Sequence, residues 1–304
     1  MKKCLVLGGT NIDIMGYSYN PIVKNDSNPG SVGFSYGGVG RNIAVNMKQM
    51  GLDVRMITAF GNDSFKDLLV NDFKSYDIEV SHSVFSDKYP SSVYLCVLDD
   101  DKELDLAINS MEVINEIDNQ EFLESKLPYI NEHDFVLIDG NLSEEAIKYL
   151  VHHIDAKIVV DGVSSIKVVK FKEVLGFIDT LKINTLEAQA LTQVSITDEG
   201  SLLRAGQALV KKGVKNVFIT DGANGSYVFD QSSHYKFGIK VDGIVNVTGA
   251  GDTFTAGVVY GLSQNFSNEE TLKFSSMAAK YTLQSAKTIS EELNVLEILK
   301  QINK

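Results

Sequence analysis

The sequence predicts an α/β protein built on a mostly parallel sheet with helices on both faces. Three observations predict it. Short aliphatic or β-branched runs alternate with longer stretches of helical period, the mark of β-α units. The runs CLVLGGTNID, FVLIDGN, KIVVDGVS, LKIN and VFITDG stop at a polar residue or a glycine. With 304 residues, 44% hydrophobic and 22% charged, the chain can bury the core of one large domain.

In chain order, CLVLGGTNID is a strand ending toward Asp13. Residues 14–36, which include SVGFSY, alternate with period two and read as strands rather than a β-α crossover. Helices follow over 40–50 and 64–75, with Gly51 and Gly61 as punctuation. Residues 83–109, SSVYLCVLDDDKELDLAIN at their heart, alternate again and read as a hairpin. The two alternating stretches form either a small sheet over a ligand crevice, a lid, or an antiparallel extension of the main sheet. Further helices are expected over 119–127, 143–151, 198–212, 250–263 and 268–286, with Gly213 as a stop. Residues 219–229, ITDGANGSYVF, read as a strand, a glycine turn and a second strand.

Asp13, Asp139, Asn141, Asp161, Asn184 and Asp221 all follow apolar runs, and open α/β sheets bind ligands beyond the carboxyl ends of their strands. Each alone reads more readily as a helix cap or turn residue. Six together point to a shared polar crevice.

A net charge of -12 argues against a broad surface for nucleic acid or an anionic membrane, so the expected partner is a small molecule. Cys4 and Cys96 are too few and too far apart for a disulfide framework or a metal knuckle, which suits a reducing cytoplasm. Asn11 and Asp13 interrupt the first apolar run before a signal core or membrane span can form. A soluble, cytoplasmic protein is expected.

Two glycine-rich segments carry chemistry. In YGGVGRNIAVNMKQMG, Gly37, Gly38 and Gly40 lead into a helix but lack the G-x-G-x-x-G spacing of a dinucleotide fold. Asn42 and Asn46 share a helix face and either offer amides to ligand hydroxyls or decorate the surface. In VTGAGDTFTAG there is no Gly-Lys-Ser/Thr, yet the amides of residues 249–252 can face an anion at a helix start. Asp252 beside that cradle is either a helix N-terminal carboxylate, worth about 0.3–1 kcal/mol, or a base aimed at a hydroxyl that attacks a bound phosphoryl group. In NTLE, Asn184 and Glu187 are spaced either as a capping box or to hold hydrated magnesium.

GGVGRNIAVN, NTLE and VTGAGDTFTAG, in this order and spacing, resemble the signatures of the PfkB family of carbohydrate and nucleoside kinases. The resemblance covers nearly the whole chain. It implies a ribokinase-like three-layer α/β/α sandwich, a single kinase domain over 1–304 with lid segments at about 14–36 and 83–109, and ATP with Mg2+ as phosphoryl donor. A homodimer through the lid is implied as well. Carried onto this chain, Asp252 is the catalytic base and Gly249, Ala250 and Gly251 the anion hole. Asn184 and Glu187 become the phosphate and metal region. Asp13 resembles the aspartate that holds sugar hydroxyls, beside Gly38 and Asn42, while Thr220, Gly222 and Gly225 stand where the nucleotide binds.

Within the family, the stretches carrying Ser92, Tyr94, Asn109, Asn141 and Lys167 are similar to those of pseudouridine kinases. That similarity implies transfer of the ATP γ-phosphate to the 5′-hydroxyl of pseudouridine. Tyr94 then stacks on the base, or is a half-buried strand residue, and Asn109 bonds the base edge. The alternatives are another nucleoside, ribose or a ketose as acceptor, or a non-catalytic sensor on the same fold. Two departures bear on a monovalent cation (K+): Asn246 replaces an aspartate, and LQSAKTIS replaces a glycine-rich loop. Potassium activation is left open. Arg41 either reaches a phosphate or lies on the surface.

Overall fold

Side chains along the central strands alternate between two apolar faces, and this alternation builds three layers. The computed structural model describes residues 2–302; Met1, Asn303 and Lys304, which complete the expected 1–304 span, lie outside the described residues. The chain runs β1 (Lys3–Leu7), β2 (Asn11–Ser18), β3 (Gly30–Gly37), α1 (Val39–Gln49), β4 (Asp53–Ile57), β5 (Ala59–Gly61), α2 (Ser64–Ser75), β6 (Val84–Ser86), β7 (Val93–Leu98), β8 (Leu104–Ser110), α3 (Gln120–Ile130) and β9 (Phe135–Asp139). It continues through α4 (Glu144–His153), β10 (Lys157–Asp161), β11 (Thr180–Asn184), α5 (Thr185–Thr192), α6 (Glu199–Lys211), β12 (Asn216–Thr220), β13 (Ser226–Phe229), β14 (His234–Phe237), α7 (Ala250–Ser263), α8 (Asn268–Leu283) and α9 (Val295–Ile302).

Eight strands form the central sheet in the order β14-β13-β12-β11-β10-β9-β1-β4. The six from β12 to β4 are parallel, and β13 and β14 add an antiparallel edge. Leu5, Leu7, Val136, Ile138, Val160 and Ile183 pack against Leu123 of α3, Ile147 of α4, Leu191 of α5 and Leu209 of α6. The opposite side of the same strands, Cys4, Val6, Leu137 and Val159, meets Ile43 of α1, Phe73 of α2, Val259 of α7, Phe274 of α8 and Ile298 of α9. The glycine turn expected in ITDGANGSYVF joins β12 to β13 as a hairpin.

The stretches of period-two alternation form a separate four-stranded sheet, β3-β2-β7-β8, not an extension of the main one. Its register sets residues in rows. Ser35, Asp13, Tyr94 and Asn109 share one row, and Phe34, Ile14, Leu95 and Ile108 the next. Successive residues face opposite sides of a sheet, so the polar row and the apolar row lie back to back.

Expectations about strand and helix boundaries are corrected at several points. CLVLGGTNID is two strands: β1 ends at Leu7, and Asp13 belongs to β2 of the small sheet rather than to a central strand end. Residues 84–86 pair with β5 instead of joining the small sheet. Gly61 closes β5, at a place where a Cβ would collide with the backbone of Tyr89, Pro90 and Ser91. The last long helix stops at Leu283, short of the expected residue 286. Among the described residues no helix is long and apolar enough to cross a membrane.

Candidate active site

The start of α7 is built to stay open. Gly249, its N-cap, has φ 85°, and a Cβ there would run into the Thr288 carbonyl and side chain. No side chain caps this end, so the N–H groups of its first turn have no helical partner and carry the positive end of the helix dipole. Asp252 stands in that same turn. Its Oδ2 accepts the Asn42 Nδ2 amide at 2.9 Å. Burial pushes its carboxyl up to about 7; the charge on Asp161 adds to this, while Asn42 and Lys182 oppose it.

Lys182, buried on β11, lies against the first turn of α7. A Cβ on Gly251 would sit 3.1 Å from its Nζ. Burial by itself lowers a lysine, but Asp161, Glu187 and Asp252 together hold Lys182 above the ordinary value. Asp161 Oδ2 lies 3.2 Å from Lys182 Nζ and accepts Thr255 Oγ1 at 2.6 Å. Nothing in the sequence reading singled out Lys182 as a site residue; its one signal is a lysine inside the apolar run LKIN.

Two cavities meet at this turn. One, of about 240 Å³, is lined by Asp13, Gly38, Asn42, Ser92, Asn141, Lys167 and Asp252, seven residues expected at the acceptor site, together with Met111, Ile114 and Val163, which were not. Asp13 is raised chiefly by burial, with the Asn11 amide and Arg41 opposing. Asn141 accepts Lys167 Nζ on Oδ1 at 2.6 Å and donates Nδ2 to Asp139 at 2.9 Å. Gly38, with φ 99°, turns the chain into α1 where a Cβ would strike the Gly9 carbonyl. Tyr94 pairs in register with Asp13, and Asn109 with Tyr94, but both lie outside the lining of this cavity.

The second cavity, of about 460 Å³, is lined by Thr220, Gly222, Gly225, Ala250 and Gly251 with apolar Ile239, Ile244, Val247 and Phe254. Its glycine turn leaves open space, since a Cβ on Gly222 would meet nothing within 4 Å. An apolar chamber that ends at an uncapped helix N-terminus could hold a nucleotide, with the base in the chamber and the phosphates toward the amides. Asn184 lies outside that lining but pairs in register with Thr220. Asn184 and Glu187 form the capping box: Asn184 Oδ1 accepts the Glu187 N–H, while Glu187 Oε2 and Oε1 accept the Asn184 N–H and Nδ2 at 2.9 and 2.7 Å. Each carboxylate oxygen keeps a second lone pair, so the cap is compatible with a hydrated Mg2+ held mainly by phosphates and water. Among the described residues there is no cluster of three or more His, Cys, Asp or Glu placed to hold a metal.

Arg41 and Asn46 have other work than the sequence suggested, while Asp139 and Asp221 act as turn residues, the alternative also open to residues at strand ends. Arg41 reaches neither phosphate nor surface; it is buried, with Nε and Nη2 each 2.9 Å from Asp72, between the rings of Tyr36 and Tyr76. Asn46 is wholly buried, its Nδ2 given to the Asn42 carbonyl, so it offers no amide to a ligand. Asp139 accepts the N–H groups of Gly9, Gly40 and Asn141 and ties three loops together. Asp221 closes the β12–β13 turn by accepting Asn224 Nδ2.

The model of the pfkB family of carbohydrate kinases matches residues 1–294. The chain belongs to that family. The pseudouridine kinase of Escherichia coli (strain K12) is 30% identical over 298 residues, 97% of this chain and 95% of the relative. A guanosine-inosine kinase of Exiguobacterium acetylicum is 29% identical over 308 residues, 98% of this chain and 100% of the relative. The ribokinase of Thermotoga maritima, at 21% identity, superposes with a TM-score of 0.86 over 99% of this chain and 100% of that one. The fold is therefore ribokinase-like, and this pfkB kinase is a phosphotransferase that acts on a hydroxyl group of a sugar or nucleoside.

Proposed function

We propose that this pfkB kinase transfers the γ-phosphate of ATP to the 5′-hydroxyl of pseudouridine. The observation that carries the reading is the position of Asp252. It lines the smaller cavity, while Ala250 and Gly251 of the same helical turn line the larger. A hydroxyl in one cavity and a phosphoryl group in the other thus meet across a single turn.

ATP supplies the phosphoryl group, and Mg2+ with it neutralises phosphate charge. The chain's own residues position and stabilise. Asp252, kept near 7, takes the proton of the attacking hydroxyl, and Asn42 fixes the orientation of its carboxylate. The amides of Gly249 to Gly251 hold the negative charge, and Lys182 against that turn reinforces the positive field. Asp13, Ser92, Asn141 and Lys167 hold the acceptor. The small sheet acts as the lid, with Tyr94 and Asn109 reaching the base as it closes.

The match to a pseudouridine kinase supports the acceptor, and the comparable match to a guanosine-inosine kinase favours a purine nucleoside as the second reading. A coupled assay of ADP release with pseudouridine, uridine, guanosine, inosine, ribose and fructose decides. Pseudouridine gives the highest kcat/KM if the reading holds, and preference for a purine nucleoside or a free sugar overturns it.

The apolar row of the lid supports a homodimer: Phe34 and Ile108 are exposed there, with Val32 and Leu106 beside them. Phe34→Asp then turns a dimer into a monomer in sedimentation, and an unchanged sedimentation coefficient contradicts the assignment. Two buried free thiols, Cys4 and Cys96, support a reducing, cytoplasmic setting; localisation of the tagged protein in an oxidising compartment contradicts it.

A further inference from the structure

Val163 is the one β-branched residue with positive φ among the described residues, at 63°. The other non-glycine residues in that region are Asn25, Asp77, Lys102, Gln193 and Asn265, polar or charged types suited to turns. For valine the conformation is an outlier, because its branched Cβ crowds the backbone. Ser164 N–H donates to the Gly162 carbonyl at 2.7 Å, so Val163 is the centre of a γ-turn of the rare, strained hand.

The strain is imposed rather than incidental. Asp161 Oδ1 accepts the Val163 N–H at 2.9 Å, and the Lys167 and Val168 N–H groups donate to the Ser164 carbonyl. Asp161 is itself held by Lys182 and Thr255, beside Asp252 on α7. The turn is thus registered against the start of the catalytic helix. Strain that the surroundings enforce concentrates at ligand sites, and Val163 lines the acceptor cavity.

Met111 and Ile114, from the segment after β8, line that cavity too. A free sugar carries hydroxyls on nearly every edge and leaves some of them unpaired against such a wall. A heterocyclic base presents a flat face that an apolar wall covers well. We infer that Val163 is a specificity residue, forming with Met111 and Ile114 the wall on which the base of a nucleoside acceptor rests. The inference depends on the nucleoside-kinase reading proposed above and adds the residue that enforces it.

Val163→Gly and Val163→Ala, made in the full chain, test this by steady-state kinetics and thermal unfolding. KM for the nucleoside rises tenfold or more while KM for ATP stays within twofold. The kcat/KM for ribose falls less than that for the nucleoside, so selectivity for nucleoside over ribose falls. The glycine variant melts no lower than the wild type, since glycine adopts positive φ without strain. A nucleoside KM within twofold of wild type in both variants overturns the inference. So does a lower melting temperature for the glycine variant, which marks a packing role. A wild-type protein that prefers ribose over every nucleoside overturns the nucleoside reading itself, whatever the variants do.

Discussion

Asn42 donates its side-chain amide to the Asp252 carboxylate across 2.9 Å, joining the start of α1 to the start of α7 over 210 residues of sequence. The bond engages one carboxylate oxygen, Oδ2, and on the proposed reading leaves the other for the acceptor hydroxyl. It also stabilises the ionised form and so holds the Asp252 carboxyl lower than burial alone would set it.

A pH dependence follows. A base works only when deprotonated, so kcat/KM rises with pH through about 7, where burial and Asp161 place Asp252, and levels off above. Asn42→Ala removes an interaction that favours the charged form. A hydrogen bond to a charged group is worth about 1.5–3 kcal/mol, so the acid limb moves up by about one pH unit or more. Profiles of the two proteins with saturating ATP check this, and an unmoved limb contradicts the pairing.

Stability moves the opposite way from activity at Asp252. Its folded carboxyl is raised above the unfolded value, so the folded state loses stability as pH rises from the ordinary carboxylate range through about 7. Asp252→Asn is uncharged at every pH. Its melting temperature therefore exceeds that of the wild type at pH 8, and the gain shrinks by pH 5. Calorimetry at the two pH values measures the difference; an equal gain at both contradicts the assignment of the shift.

Gly249→Ala attacks the anion cradle from behind. The new Cβ meets the Thr288 carbonyl, and alanine resists φ 85°. The turn can accept the methyl only by rotating its amides. The expected result is a loss of kcat of about 100-fold, the scale of one misplaced oxyanion donor, with KM for the acceptor within a few-fold. A kcat near wild type contradicts the cradle.

Asp72→Ala leaves the Arg41 guanidinium buried without its partner between Tyr36 and Tyr76. Breaking a buried pair from one side costs about 3–5 kcal/mol. Denaturant unfolding shows the loss, and a midpoint close to wild type contradicts it.

Much of this was legible because it follows local rules. Strand ends at Asp139, Asp161 and Asn184 fall where the apolar runs stop, and period-two alternation marked the small sheet. Asp252 stood out because an acid beside three small residues conflicts with an anion site unless it serves the nucleophile. The rest depends on contacts distant in sequence. The chain changes sheets within Gly8-Gly9-Thr10, which leaves no mark on hydropathy, so Asp13 was assigned to the wrong strand. Arg41 could not be placed without Asp72, 31 residues on. Lys182 reads as a flaw in a strand until Asp161, Glu187 and Asp252 are seen around it. Val163 carries no sequence sign of its positive φ, because the turn is imposed by Asp161 and its partners.

On the proposed reading one helical turn divides the labour, with main-chain amides holding the phosphoryl group and Asp252 taking the proton of a nucleoside hydroxyl. Single-turnover transfer from γ-labelled ATP to pseudouridine, followed in the wild type and in Asp252→Asn with ATP affinity measured in parallel, tests it most directly. Pseudouridine 5′-phosphate is the expected product of the wild type. In the variant, transfer falls by about 10²–10⁴, the range of general-base catalysis, at ATP affinity within a few-fold. Transfer in the variant within tenfold of the wild type, or a product labelled at another hydroxyl, contradicts it.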